Sequence, residues 1–188
     1  RDAREGSERV RTIVRDLRTF SRGDDEKIES VDLHRVIESA IHMSWSQIRH
    51  RARFERDLGP VPCVDANESR LTEVFVNLLL NAAQAIQEGQ ADRNTIRVVT
   101  RVVGEEHVAI EVHDTGKGIS PDIMGRLFEP FFTTKPIGVG TGLGLALCHG
   151  IVTGLGGKIE VESEPGRGSC FKVFLPAARV DETEPPPP

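Results

Sequence analysis

The chain contains no uncharged apolar run approaching the ~20 residues that a membrane helix needs, so no membrane segment is expected in it. It also lacks a surplus of positive charge. With 24 Lys and Arg against 29 Asp and Glu the net charge is −5, and bulk electrostatics give no support for nucleic-acid binding. Cysteine is scarce and unpatterned: Cys63, Cys148 and Cys170 are odd in number and form no CxxC, which favours reduced thiols in a cytoplasmic setting over a disulfide framework or a zinc site. No internal repeat is visible. Neither an initiator Met nor a signal peptide stands at Arg1, so a piece of a longer protein is expected, which leaves a membrane anchor elsewhere in that protein open. What is present suits one domain with an appendage: 188 residues, 38% hydrophobic and 28% charged.

Residues 1–22 read as the C-terminal end of a long helix. Val10, Ile13, Leu17 and Phe20 alternate spacings of three and four, with Ala3 and Gly6 upstream on the same seam. The seam suits either packing on its own domain or half of a dimerisation element. A polar linker is expected over 23–30, a globular domain over 31–176 and an acidic, proline-rich tail or linker over 177–188. Within the domain, Asp32 can cap a helix burying Leu33, Val36, Ile37, Ala40, Ile41 and Ile48, and Asn67 can cap a second over about 68–88. Strands are expected over 51–58, and as two hairpins, 95–103 with 107–113 and 158–164 with 169–175. A third helix is expected from Leu143 to about Thr153, closed by Gly154, Gly156 and Gly157.

Chemistry concentrates in five segments. On the second helix Glu73, Asn77, Asn81 and Gln84 share one stripe. It is either a solvated flank or a row of amide oxygens, hard neutral ligands suited to Mg²⁺. Asp114 ends a strand in DTGKGI; it is either a turn-former or a buried acceptor for an adenine amino group. Residues 119–141 exceed an ordinary connection and contain LFEPFFTTK, whose Phe128, Phe131 and Phe132 would pin a partly ordered lid. Thr134 and Lys135 either reach phosphate oxygens from that lid or are merely solvated. GTGLGL, from Gly140 to Leu145, runs straight into a helix whose N-terminal N–H groups suit an anion. It is not a Walker A loop, because no Gly-Lys-Ser/Thr follows at that spacing, nor a dinucleotide fingerprint, because Leu145 stands where the last glycine belongs. GRGS, read alone, is a hairpin turn.

Taken in order, NLLLNAAQAI, DTGKGI, LFEPFFTTK, GTGLGL and GRGSCF resemble the N, G1, F, G2 and G3 boxes of the ATP-binding catalytic domain of sensor histidine kinases, within the superfamily shared with gyrase, Hsp90 and MutL. The resemblance covers about residues 31–176. It implies a two-layer α/β sandwich, a mixed β-sheet covered on one face by helices, with an ATP lid. It also implies ATP and Mg²⁺ as cofactors. Asn81 is then the magnesium ligand, and Asn77 and Lys135 act with it at the phosphates. Asp114 binds the adenine amine, and Gly116, Gly118, Ile119 and Ser169 shape that side of the pocket. Phe132, Thr134, Gly140, Thr141, Gly142, Leu143 and Gly144 complete the lid and phosphate side. The sequence departs from the family at Ser169, often threonine, which keeps the hydroxyl, and at Gln84, often lysine, which removes one phosphate contact.

Two further absences set the expected function. The hydrolysing branch places a glutamate one turn before the magnesium asparagine, whereas this chain has Asn77, a poor general base. That argues for transfer to a protein acceptor over hydrolysis. The family's acceptor histidine is followed directly by Glu or Asp. His34, His42, His50, His107 and His149 are not, and His113 precedes only Asp114 of the pocket itself. The acceptor is therefore expected upstream of Arg1, on a dimerisation domain that makes the full-length protein a homodimer. A response-regulator receiver is the expected next carrier of the phosphate. The alternatives are an ATP-hydrolysing conformational switch and a non-catalytic nucleotide-sensing scaffold.

Overall fold

The structure, a computed structural model, describes residues 27–136 and 140–178. The seam expected over residues 1–22 lies outside these, as does the tail from 179 onward.

Two capped helices carry most of the core. Helix α1 (Leu33–Ile48) starts where Asp32, in extended conformation, accepts the His34 N–H at 2.8 Å. All six residues expected on its inner face are buried, and Ser44 joins them. Helix α2 (Glu68–Ala85) starts where Asn67 Oδ1 accepts the Arg70 N–H at 3.0 Å. Its buried Leu71, Val74, Phe75, Leu78, Leu79, Ala82 and Ala83 lie against α1 and the sheet. Each large apolar side chain removed from water here contributes about 1.5–3 kcal/mol. α2 ends three residues short of the expected 88. Ile86 turns to extended backbone, and the carbonyl of Ala85 accepts the N–H of Lys117 at 3.0 Å, so the loop after Asp114 takes a group that another helical turn would use.

The sheet has five strands: β2 (Arg53–Leu58), β4 (Thr95–Val103), β5 (His107–Asp114), β7 (Gly168–Pro176) and β6 (Lys158–Glu164), in the order β2-β4-β5-β7-β6. β2 and β4 are parallel and the other pairs antiparallel, so the sheet is mixed. Both expected hairpins form, β4–β5 and β6–β7. Alternation sends Val108, Ile110 and Val112 of β5, with Phe171, Val173 and Leu175 of β7, into the helix-covered core. The helices, including α3 (Gly144–Gly154), pack on that one face. The architecture is the expected two-layer α/β sandwich. By the same alternation the opposite face carries Arg97, Arg101, Glu111, His113 and Lys172.

A separate two-stranded sheet, β1 (Glu29–Val31) with β3 (Val64–Ala66), was not foreseen. Three residues are too few for period-2 alternation to show. Ala177 and Ala178, the first residues of the expected tail, are held by hydrogen bonds to the carbonyls of Glu106 and Cys63 at 2.8 and 2.7 Å.

Candidate nucleotide-binding site

Strand β5 delivers Asp114 to the end of the sheet on the helix-covered side, with 6% of its surface exposed. Asp114 pairs in register with Ser169 of β7, and its Oδ1 accepts the Gly116 N–H at 2.7 Å. Burial pushes the Asp114 carboxyl above its usual range. Hydrogen bonds from the Gly116 and Ser169 amides and the Ser169 hydroxyl pull it down but do not cancel the burial. A carboxylate ringed by dipoles, with no cation in hydrogen-bond contact among the described residues, retains a strong demand for a further donor. Next to it, Lys117 ties the loop both to Ala85 and, by its carbonyl, to the N–H of Gly166 at 2.8 Å. That brings Gly116, Gly118 and Ile119 between the end of α2 and the β6–β7 turn. Ile119 N donates to Ser163 Oγ at 2.8 Å, and Ser163 Oγ lies 3.0 Å from Ser169 Oγ. Ser163 was missed in the sequence. Its signal was available: a hydroxyl at an inward position of β6, opposite Ser169.

The second group of residues lies along α2. Asn77 and Asn81 are half-buried on one stripe. The lid returns to them: Lys135 Nζ donates to Asn81 Oδ1 at 3.0 Å and also to Gln84 Oε1. Burial and the nearby charge of Lys117 lower the Lys135 ammonium below its usual range, so this cation gains from any anion placed beside it. The amide oxygens of Asn81 and Gln84 thus converge on one positive charge. Gly144, at the start of α3, faces Asn77; a methyl group there would sit 3.1 Å from Asn77 Oδ1. Leu143, the N-cap of α3, supplies no side-chain cap, which leaves the first-turn donors to other partners. Its own N–H donates to Thr141 Oγ1 at 3.3 Å.

The lid between these groups contains a short 3₁₀ turn (Pro121–Arg126). Phe128 packs on the core and lies 5.4 Å from the His149 ring, and the Arg126 guanidinium sits 4.5 Å over Phe132. Phe131 departs from the expected pinning. It is 64% exposed with φ 66°, its N–H donating to Gly142 O at 3.0 Å. The close pass explains Gly142, at φ 70°: a side chain there would meet the Phe131 carbonyl carbon at 2.4 Å. Gly140 packs on Thr133 and Lys135, whereas Thr134 is exposed.

The site residues therefore form two groups at the ends of one lid, a carboxylate group around Asp114 and an amide–ammonium group around Asn81. A two-layer sandwich with these two groups at the ends of a lid has the layout of a nucleotide-binding domain of the ATPase type. Residues 66–179 match the family described as histidine kinase-, DNA gyrase B- and HSP90-like ATPase, and the chain belongs to that family. It is similar to the sensor kinase CckA of Brucella abortus (strain 2308), 36% identical over 92% of this chain and 20% of that protein. It is also similar to the sensor histidine kinase ZraS of Klebsiella oxytoca, 37% identical over 90% of this chain and 36% of that protein. The histidine kinase ThkA, solved in complex with response regulator protein TrrA, superposes with a TM-score of 0.74 at 25% identity, over 92% of this chain and 48% of that one. The chain thus spans 20% of the one curated relative and 36% of the other.

Proposed function

We propose that this chain is the ATP-binding catalytic domain of a two-component sensor histidine kinase, working in the cytoplasm. It presents the ATP γ-phosphate to a histidine upstream of Arg1, from which the phosphate passes to a response-regulator receiver. Residues 31–176 are the catalytic domain in this reading, and residues 1–22 the end of the dimerisation helix of a homodimer. The observation that carries the reading is Asp114, a buried carboxylate without an ion-pairing cation, held at the mouth of the sandwich by Gly116 and Ser169. It accepts the adenine amine, while Gly116, Gly118, Ile119 and Ser169 shape the surrounding wall. At the other end Lys135, with Thr134, Gly140, Thr141, Gly142, Leu143 and Gly144, receives the phosphates, and Phe132 anchors the lid.

The donor set also fits a divalent cation: the Asn81 and Gln84 oxygens already converge on the Lys135 ammonium. Asn81, with Asn77 beside it, would hold a magnesium ion, which would supply charge neutralisation at the phosphates. Lys135 then leaves Asn81 for the phosphates. Catalysis by the chain's own residues is positioning and charge neutralisation, since phosphoryl transfer asks for little covalent chemistry. Asn77, with no carboxylate to activate water, leaves hydrolysis unassisted.

The test supplies the upstream helix, with its histidine, to this chain in the presence of Mg²⁺ and γ-labelled ATP. Label in an acid-labile, base-stable protein adduct is expected, with loss in the Asn81→Ala variant. Tight ATP binding without such an adduct overturns the kinase reading in favour of a nucleotide-sensing scaffold. Steady phosphate release without it favours an ATPase switch.

A further inference from the structure

On the face of the sheet turned away from the helices, three side chains of different chemistry converge. Glu111 and His113 lie two apart on β5 and so point the same way, and Cys170 of β7 is the register partner of His113. His113 Nε2 is 2.9 Å from Glu111 Oε2 and 3.6 Å from Cys170 Sγ, and one ligand atom from each residue lies within 4.8 Å of the others. Glu111 and Cys170 are buried, 7% and 8% exposed, which is unusual for a polar cluster on an open sheet face.

We propose that Glu111, His113 and Cys170 form a binding site for a zinc-type divalent cation, with water completing the fourth position. Carboxylate, imidazole and thiolate are the donor types that borderline-soft ions take. A tetrahedral ion with ordinary Zn–N, Zn–O and Zn–S bonds spaces its ligand atoms about 3.3–3.6 Å apart. The nitrogen–sulfur distance already matches that spacing, whereas the nitrogen–oxygen contact has to open slightly and the carboxylate–sulfur separation, within 4.8 Å, has to close by about 1 Å. Nε2 faces both the carboxylate and the thiol: carrying the ring proton it donates to Glu111, and with that proton on Nδ1 its lone pair is open to an ion. An ion between the three takes that lone pair, and the ring proton then resides on Nδ1.

The surroundings fit the charge and the access that binding needs. Arg101 holds the other oxygen of Glu111, the kind of outer contact that orients a ligating carboxylate. Burial raises the Glu111 carboxyl, but the Arg101 and His113 contacts outweigh it and hold it below its usual range. Burial and Glu111 push the Cys170 thiol up to about 11. Cys170 is therefore no activated nucleophile on its own. It becomes a thiolate when the ion displaces its proton to solvent, with no change of oxidation state. An open cavity of about 410 Å³, bordered by His113, Glu162 and Cys170, gives an ion and a water a way in. No CxxC spacing announces this site, because its ligands are 57 residues apart and meet only through strand pairing.

Co²⁺ is the probe, with Zn²⁺ as competitor, on the intact chain. Titration is expected to saturate at one equivalent, with a near-ultraviolet thiolate-to-cobalt band and tetrahedral visible bands that Zn²⁺ abolishes. The exposed Cys63 is the control: Cys63→Ser keeps the band. Cys170→Ser loses it, and His113→Gln and Glu111→Gln each weaken Co²⁺ binding by about 10–100-fold or more, the range that even outer contacts of a metal site command. Absence of a thiolate band at one equivalent overturns the proposal, as does a band that survives Cys170→Ser or vanishes with Cys63→Ser. The readout is independent of nucleotide, so it stands or falls apart from the kinase reading.

Discussion

Strand β5 buries two carboxylates three residues apart, on opposite faces, and the protein treats them in opposite ways. Glu111, on the open face, has the guanidinium of Arg101 and the imidazole of His113 against it, and its carboxyl is held low. Asp114, on the helix-covered face, has among the described residues only amide and hydroxyl dipoles in contact, and burial holds its carboxyl high. A buried charge answered by the chain's own cation has its desolvation cost largely offset inside the protein. One answered only by dipoles carries an uncompensated desolvation cost, and such groups mark sites awaiting a partner. The contrast supports, more firmly than its burial alone, the proposal that Asp114 is the group kept for the nucleotide.

The most forceful way to break the contrast is to move Asp114 itself. Gly168, at φ 100°, lets β7 pass so close to β5 that a Cβ there would lie 1.9 Å from the Asp114 carbonyl oxygen. Gly168→Ala combines that overlap with a left-handed backbone and is expected to cost about 2–4 kcal/mol, measured by urea unfolding. Gly166→Ala is the matched control. Gly166 also has positive φ, 78°, but has nothing within 4 Å of a Cβ, so its loss should stay near about 1 kcal/mol. Equal losses would show that the β5–β7 contact does not hold the carboxylate in place.

Asp114→Asn comes next and separates function from stability. A charge-assisted hydrogen bond is worth about 1.5–3 kcal/mol, so ATP affinity should fall roughly 10- to 150-fold and the preference over GTP should shrink. The free domain should change by less than about 1 kcal/mol, because relief from burying the charge offsets a weakened bond from Ser169. Isothermal titration gives the first quantity and urea unfolding the second. Unchanged adenine preference would remove Asp114 from the base-binding role.

These features differ in how far the sequence discloses them. Helices α1 and α2 are written in their apolar spacing and in Asp32 and Asn67, because a helix repeats its burial every three to four residues over many turns. Asp114 at a strand end and the glycine blocks are legible because tight backbone passes demand glycine, as at Gly142. Strands β1 and β3 are not, being too short to show a period. The early end of α2 depends on Lys117 claiming the Ala85 carbonyl, a tertiary contact that no local pattern encodes. Phe131 was expected to pin the lid from its apolarity, but φ 66° and its bond to Gly142 turn it outward. Ser163 and the Glu111–His113–Cys170 cluster escape for one reason: pairing across strands joins residues whose spacing in the chain is arbitrary.

The smallest expected effect gives the sharpest reading of the contrast, because its sign reverses between the two faces. The folded carboxyl of Glu111 lies below its ordinary 4.5, so its contribution to stability is present above that value and lost as pH falls through the folded value. The folded carboxyl of Asp114 lies above its ordinary 3.8, so the fold favours its neutral form. Its stabilising contribution is full below that value and lost as pH rises through the folded one. Glu111→Gln is therefore expected to be less stable than wild type by about 1 kcal/mol near neutrality, with the deficit closing under acid. Asp114→Asn should run the other way, losing ground to wild type as acidity increases. Unfolding midpoints from neutral to acid pH then give two difference curves of opposite slope. Parallel curves would mean that both carboxylates are answered by the protein alike, and the reason for assigning the nucleotide to only one of them would be gone.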